Sequence, residues 1–276
     1  MSKKDWTGER LETYIFNENM AEHLHRYAIA RNLATDKIVL DIACGEGYGS
    51  HLLADVAQQV FGVDVDAGTI VHASGKYQKP NLSFSVGNAA KIPLADNAVD
   101  LVVSYETIEH HDQHEAMLSE IKRVLKPDGI LIISSPDKKY YTDETGFKNI
   151  YHVKELYEDE FKALVGRYFS NCQHFNQRFI TGSYLEATTQ QGKADFYRGD
   201  YAHIEASKFT PVYNLIIATD QAELPLAKSS FFYAMSNEGE IRQEVLTALR
   251  NTATWKLGSF LLYPFSLAKR LIKRGS

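Results

Sequence analysis

An acid, two alternating glycines and a second acid nineteen residues past the first glycine are the residues best suited to holding a ligand. Asp41-Ile42-Ala43-Cys44-Gly45-Glu46-Gly47 closes one apolar run, and Asp64 closes the next. Gly45 and Gly47 let the backbone turn and approach a ligand with no Cβ in the way. A carboxylate at Asp64 accepts two hydrogen bonds from a ribose diol. A dinucleotide site shares this outline but uses GxGxxG, and here Ser50 stands in the third glycine's place. Asp41 would repel a pyrophosphate and attract an ammonium, so the electrostatics favour a cationic ligand.

Proton handling falls to the histidines. Of the ten, His110 and His111 follow the fourth apolar run, and His152 lies in Asn149-Ile150-Tyr151-His152-Val153-Lys154-Glu155. A hydroxyl is a poor nucleophile while it keeps its proton, so a base within hydrogen-bond reach would help it react. A phosphate or carboxylate acceptor would need none. His110 and His152 are the catalytic expectations, with helix capping the alternative for each. His114, in a charged helix start, is expected in solvent; His23, His25, His51, His72, His174 and His203 sit in no motif.

The elements that must position these groups alternate. Helix patterns cover 18–33, 48–57, 68–77, 113–125 and 153–168, and short apolar runs cover 38–40, 59–63, 82–86, 99–103 and 130–133. Two further β-like runs follow at 172–180 and 212–218, with an aperiodic polar and aromatic insertion at 183–210 between them. Continuous apolar runs suit strands covered on both faces. Repeated βα units predict a parallel sheet with helices on both sides, whose ligands sit at the carboxyl ends of the strands.

Composition narrows the class. The chain has 276 residues, 44% hydrophobic and 24% charged, as in ordinary globular proteins. A net charge of -5 argues against a nucleic-acid groove along the molecule. Cys44 and Cys172 make no disulfide framework, and no Cys/His spacing suggests zinc, so no metal is expected. No signal-peptide core and no apolar run of about 18 residues is present, so a cytoplasmic location is expected, with the inner face of the membrane as the alternative.

The residues from 37 to 135 resemble the class I S-adenosylmethionine-dependent methyltransferases. The acid-glycine motif at Asp41–Gly47 has Ala43 where that family has its first glycine, and Glu46 lies within it. Asp64, followed by Val65, is similar to the ribose-binding acid, and Gly87-Asn88-Ala89 to the segment that contacts adenine, with Asn88 where Asp is usual. Ser104-Tyr105-Glu106-Thr107-Ile108-Glu109-His110 resembles the motif beside the methyl group, and 122–129 the turn before the fifth strand. The resemblance implies a Rossmann-like α/β fold with a seven-stranded, mostly parallel sheet whose last strand is antiparallel. It also implies S-adenosyl-L-methionine as cofactor and S-adenosyl-L-homocysteine as product.

A narrower resemblance is to bacterial methyltransferases of lipopolysaccharide O-antigen and other surface-polysaccharide pathways. It rests on Thr7-Gly8-Glu9-Arg10-Leu11, His25-Arg26-Tyr27, Cys44–Ser50 and the Asn149/His152/Glu155 pattern. It implies that Arg10, Arg26 and Tyr14 fold over the cofactor or grip an anionic acceptor; surface ion pairing is the alternative. It also implies a sugar or glycan acceptor, methylated on a sugar hydroxyl or a sugar-linked phosphate; a small-metabolite methyltransferase and a non-catalytic S-adenosylmethionine-binding scaffold are the rival readings. The expected domain spans 1–235, with a helical basic tail over 236–276. From Arg250 onward there are six basic residues and no acid, so residues 255–276 are expected to meet a membrane surface, a glycan-assembly complex or the domain itself.

Overall fold

A computed structural model of the chain describes residue 11 and residues 17–181, 195–199, 201, 203–223 and 228–232, with positions 247, 250, 252 and 255. Five parallel strands come first: β1 (Ile38–Ile42), β2 (Gln59–Asp64), β3 (Leu82–Val86), β4 (Val99–Ser104) and β5 (Leu125–Pro136). β6 (Asn171–Gln177) takes the far edge, and β9 (Tyr213–Thr219) fills the gap between β5 and β6, antiparallel to both. The sheet order is β3-β2-β1-β4-β5-β9-β6. The seven-stranded Rossmann-like sheet with an antiparallel last strand is thus observed.

Side-chain alternation explains why the strands read as continuous apolar runs. Along β5, Ile130 and Ile132 join one core with Tyr27, Ala30 and Leu53, while Leu131 and Ile133 join the other with Met117, Ile121 and Phe161. The inner strands therefore feed two cores, and each fully buried aliphatic chain contributes roughly 1.5–3 kcal/mol. Helices α1 (Glu18–Ala34) and α2 (Tyr48–Leu53) cover one face; α4 (His114–Val124) and α5 (Glu158–Gly166) cover the other. Helix α3 (Ala67–Lys76) packs against β2 and β3. Asn17 caps α1 by accepting the Met20 N–H at 3.1 Å.

Two segments depart from the pattern read in the sequence. The helix expected from residue 153 begins only at Glu158, because the N–H groups of Val153 and Lys154 donate instead to the Glu109 carbonyl at 2.8 and 3.0 Å. The insertion contains a small antiparallel pair of its own, β7 (Phe196–Gly199) with β8 (Ile204–Ser207). Among the described residues no helix is long and apolar enough to cross a membrane. Contacts divide the chain into a unit of Met1–Phe232 and a second unit, Tyr233–Ser276. Arg10, Tyr14 and, apart from Thr247, Arg250, Thr252 and Trp255, the basic tail lie outside the described residues.

β1 and β4 are neighbours, and chain connections leave them in opposite directions. The strand order reverses there, which opens a crevice at their carboxyl ends.

Candidate functional site

The loop after β1 turns at that crevice. Cys44 N–H donates to the Val63 carbonyl at 2.9 Å, and Gly47 N–H closes the turn on the Cys44 carbonyl at 3.0 Å. Gly45 and Gly47 have φ of +53° and +88°, the left-handed region that favours glycine. Their surroundings differ. A Cβ on Gly45 would meet nothing within 4 Å, so that face of the turn is open; one on Gly47 would lie 2.8 Å from the Phe84 ring. Gly45 thus serves approach, and Gly47 serves packing.

Asp64, at the end of β2, is held by the main chain: Oδ2 accepts from Gly45 N at 2.9 Å and Oδ1 from Asp66 N at 3.0 Å. Its carboxylate borders a cavity of about 570 Å³, within the usual range for small-molecule sites. Ala43, Gly45, Glu46, Val65, Asn88, Ala89 and Tyr105 also border it. Glu46 is ion-paired with Lys76. Asn88 Oδ1 accepts the Ala90 N–H at 2.8 Å, so one lone pair of the oxygen expected to meet adenine is already engaged.

Besides Gly47, three expected cofactor residues lie away from the cavity lining. Asp41 is buried beneath the turn, where it accepts from Ser50 Oγ at 2.6 Å and Tyr27 Oη at 3.2 Å. Burial pushes its carboxyl up to about 6, partly offset by those two donors. Ser104 is fully buried in β4 and does not border the cavity. Arg26 neither covers the cavity nor pairs at the surface. It is 1% exposed, its Nη1 bonded to Glu106 Oε1 at 2.8 Å and its Nε to Gln177 Oε1 at 2.7 Å, with its guanidinium 4.7 Å from the Tyr213 ring centre. A buried guanidinium needs a counter-charge, and Glu106 supplies it. Glu106 itself sits at φ +47°, an uncommon conformation for a side chain of its size.

The opposite wall holds the histidines. His110 lies in a short 3-10 turn, Ile108–His110, just past β4, and His152 lies after β5; their rings meet edge to face at 5.1 Å. His152 Nδ1 is 2.6 Å from Glu155 Oε1, and both side chains are less than a tenth exposed. Glu155 as a carboxylate can only accept, so Nδ1 carries the proton and Nε2 is the ring's acceptor. Tyr141 stacks on the same ring at 5.3 Å. The residues from Asp137 to Leu156 form a loop pinched at its base, where these two residues pair and Lys138 N–H donates to the Leu156 carbonyl. His114, expected in solvent, is only 3% exposed; its Nε2 lies 2.8 Å from the His111 carbonyl, and desolvation lowers its pKa.

His23 and Tyr27 carried no expected role, and both border the cavity; Tyr141, one of the tyrosines near turns whose alternative reading is an aromatic lid over a ligand, borders it as well. Glu155 carried no expected role of its own, although an acid three residues after a histidine is a usable signal. Glu109 is 1% exposed and also borders the cavity; one donor atom each from Glu109, His110 and His152 lie within 4.8 Å of one another.

Residues 40–133 match the methyltransferase domain family. Over 162 residues the chain is 35% identical to a probable S-adenosylmethionine-dependent methyltransferase of Mycolicibacterium smegmatis, covering 58% of this chain and 62% of that one. These residues carry a methyltransferase domain, and the fold around them is that of S-adenosylmethionine-dependent methyltransferases. Its cofactor is S-adenosylmethionine, and the open face at Gly45 with the carboxylate of Asp64 fits that ligand. A demethylmenaquinone methyltransferase of Beutenbergia cavernae shares 36% identity over 96 residues, 35% of this chain and 39% of that one. A solved S-adenosylmethionine-dependent methyltransferase of Thermotoga maritima, described as a possible histamine N-methyltransferase, has the same fold. Its TM-score is 0.53 at 18% identity, over 73% of this chain and 90% of that one. The methyltransferase domain thus rests on sequence and fold together, while the chain spans about three-fifths of the length of the mycobacterial relative.

Proposed function

We propose that this chain transfers a methyl group from S-adenosylmethionine to a hydroxyl of a sugar or sugar-linked acceptor in bacterial surface-polysaccharide synthesis. The observation that carries an oxygen acceptor is the buried His152–Glu155 pair beside the cavity. A carboxylate behind a histidine fixes the ring's orientation and tautomer, as a proton acceptor for a hydroxyl requires. An already anionic acceptor would have no use for it. When bound, S-adenosylmethionine supplies an activated methyl on a sulfonium. Gly45 and Asp64 would hold that cofactor, and the loop carrying Tyr141 and His152 would align the acceptor and exclude water.

A second reading, a small quinone-precursor acceptor, is supported by the demethylmenaquinone methyltransferase relative. One panel separates the two: sugar nucleotides and lipid-linked sugars against small phenols, with methylated product measured by mass spectrometry. The sugar reading expects product only on the sugar arm. His152→Ala should then lower turnover by roughly 10²–10⁴-fold, with S-adenosylhomocysteine affinity unchanged by calorimetry. Undiminished turnover in that variant would sink the role given to His152, and methylation confined to phenols would replace the sugar acceptor.

A further inference from the structure

We propose that Glu109, His110 and His152 bind a divalent transition-metal ion at the acceptor end of the cavity. One donor atom from each lies within 4.8 Å of the others. Ligand atoms around a four-coordinate ion, each at about 2.1 Å, stand roughly 3.5 Å apart. Closing that difference is a matter of side-chain adjustment rather than refolding.

Both rings are already held as ligands are held. His152 Nδ1 donates to the Glu155 carboxylate at 2.6 Å, and His110 Nδ1 donates to the Tyr151 carbonyl at 3.1 Å. An outer carboxylate or carbonyl on one ring nitrogen fixes the tautomer and offers the other nitrogen's lone pair to a metal. Proton acceptance needs one histidine so arranged; here there are two, and they converge on a buried carboxylate. His110 Nε2 lies 4.0 Å from Glu109 Oε1. The two segments are locked by main chain, since Val153 and Lys154 N–H groups donate to the Glu109 carbonyl. Glu106 stays out of the group because Arg26 and Ser134 engage its carboxylate.

Two imidazoles and one carboxylate suit Zn²⁺, Mn²⁺, Fe²⁺ or Co²⁺ better than Mg²⁺ or Ca²⁺, which prefer oxygen throughout. Three protein ligands leave a position open, as a catalytic ion requires. The chemistry such an ion supplies is Lewis-acid lowering of the pKa of an oxygen beside it. This inference rests on the cavity being an acceptor pocket; with the ion bound, His152 Nε2 is its ligand and the ion lowers the pKa of the acceptor oxygen, and proton acceptance by that nitrogen belongs to the ion-free chain. Sequence spacing suggested no metal because the donors come from two distant segments joined only by the fold.

The test is to strip the purified chain with a chelator, then titrate Co²⁺ by calorimetry and visible absorbance. One Co²⁺ per chain, displaced by Zn²⁺, is the expected result. Glu109→Gln and His110→Ala should each weaken it by roughly tenfold or more, with S-adenosylhomocysteine binding preserved as the check on folding. Co²⁺ bound no more tightly by the unmodified chain than by the H110A/H152A double variant would overturn the site. If turnover still depends on His152 in that event, proton acceptance stands without the ion. A specific Co²⁺ site in a chain inert toward every sugar would keep the ion and remove the sugar acceptor.

Discussion

Asp41 is a carboxylate placed where a carboxylate is costly, 1% exposed and below the glycine turn, with its pKa pushed up to about 6. A folded-state pKa above the unfolded value favours folding at low pH and loses that contribution as pH rises. Against an unfolded value near 3.9, the loss is about 3 kcal/mol, spread between roughly pH 4 and pH 6. Asp41→Asn removes this titration, so the stability difference between variant and parent should move in the variant's favour by about that amount across the window. Urea denaturation at pH 4, 5, 6 and 7 measures it, and a difference independent of pH would refute the assignment. The acid's position at a strand end was legible in the sequence. Its orientation was not, because nothing in the local pattern says that Tyr27, fourteen residues earlier, reaches under the turn to meet it.

Elements were legible where burial imposed period. β1, β2, β4 and β5 were legible because both of their faces enter a core, and β3, at the sheet edge, because Leu82, Phe84 and Val86 alternate with two serines. The start of α5 lies later than expected because the N–H groups of Val153 and Lys154 are committed to the Glu109 carbonyl and the Leu156 carbonyl to Lys138 N–H. β7 and β8 escaped because four-residue strands with mostly exposed side chains carry no periodic signal. Close helix packing was also invisible: a Cβ on Gly49 in α2 would lie 1.9 Å from the Tyr27 ring of α1. Gly49→Ala should therefore destabilise by about 1–3 kcal/mol. Gly75→Ala, in α3 where a Cβ meets nothing within 4 Å, should instead stabilise by up to about 1 kcal/mol. Thermal melts of the two variants should shift in opposite directions; equal shifts would mean that Tyr27 yields to the added methyl.

At the scale of the whole molecule, Arg26 ties α1 to the exit of β4 through Glu106, to β5 through Ser134 and to β6 through Gln177. Sequence reading gave this arginine to a ligand because charge alone does not reveal depth. Arg26→Met should cost about 3–5 kcal/mol by stranding Glu106. Arg26→Met combined with Glu106→Gln should cost less than the sum of the single changes, a coupling that urea denaturation of the four-member cycle reads directly. Additive costs would show that the pair is not a unit. The loop from Asp137 to Leu156, gathered at its base by main-chain bonds, has a different standing. It brings Tyr141, Asn149, Tyr151 and His152 to the cavity, while the cofactor turn belongs to the strands before it. A segment whose two ends already touch can be swapped for a longer or shorter one at little entropic cost. The architecture therefore lets natural or laboratory grafting diversify the acceptor while the methyl donor's berth is inherited unchanged.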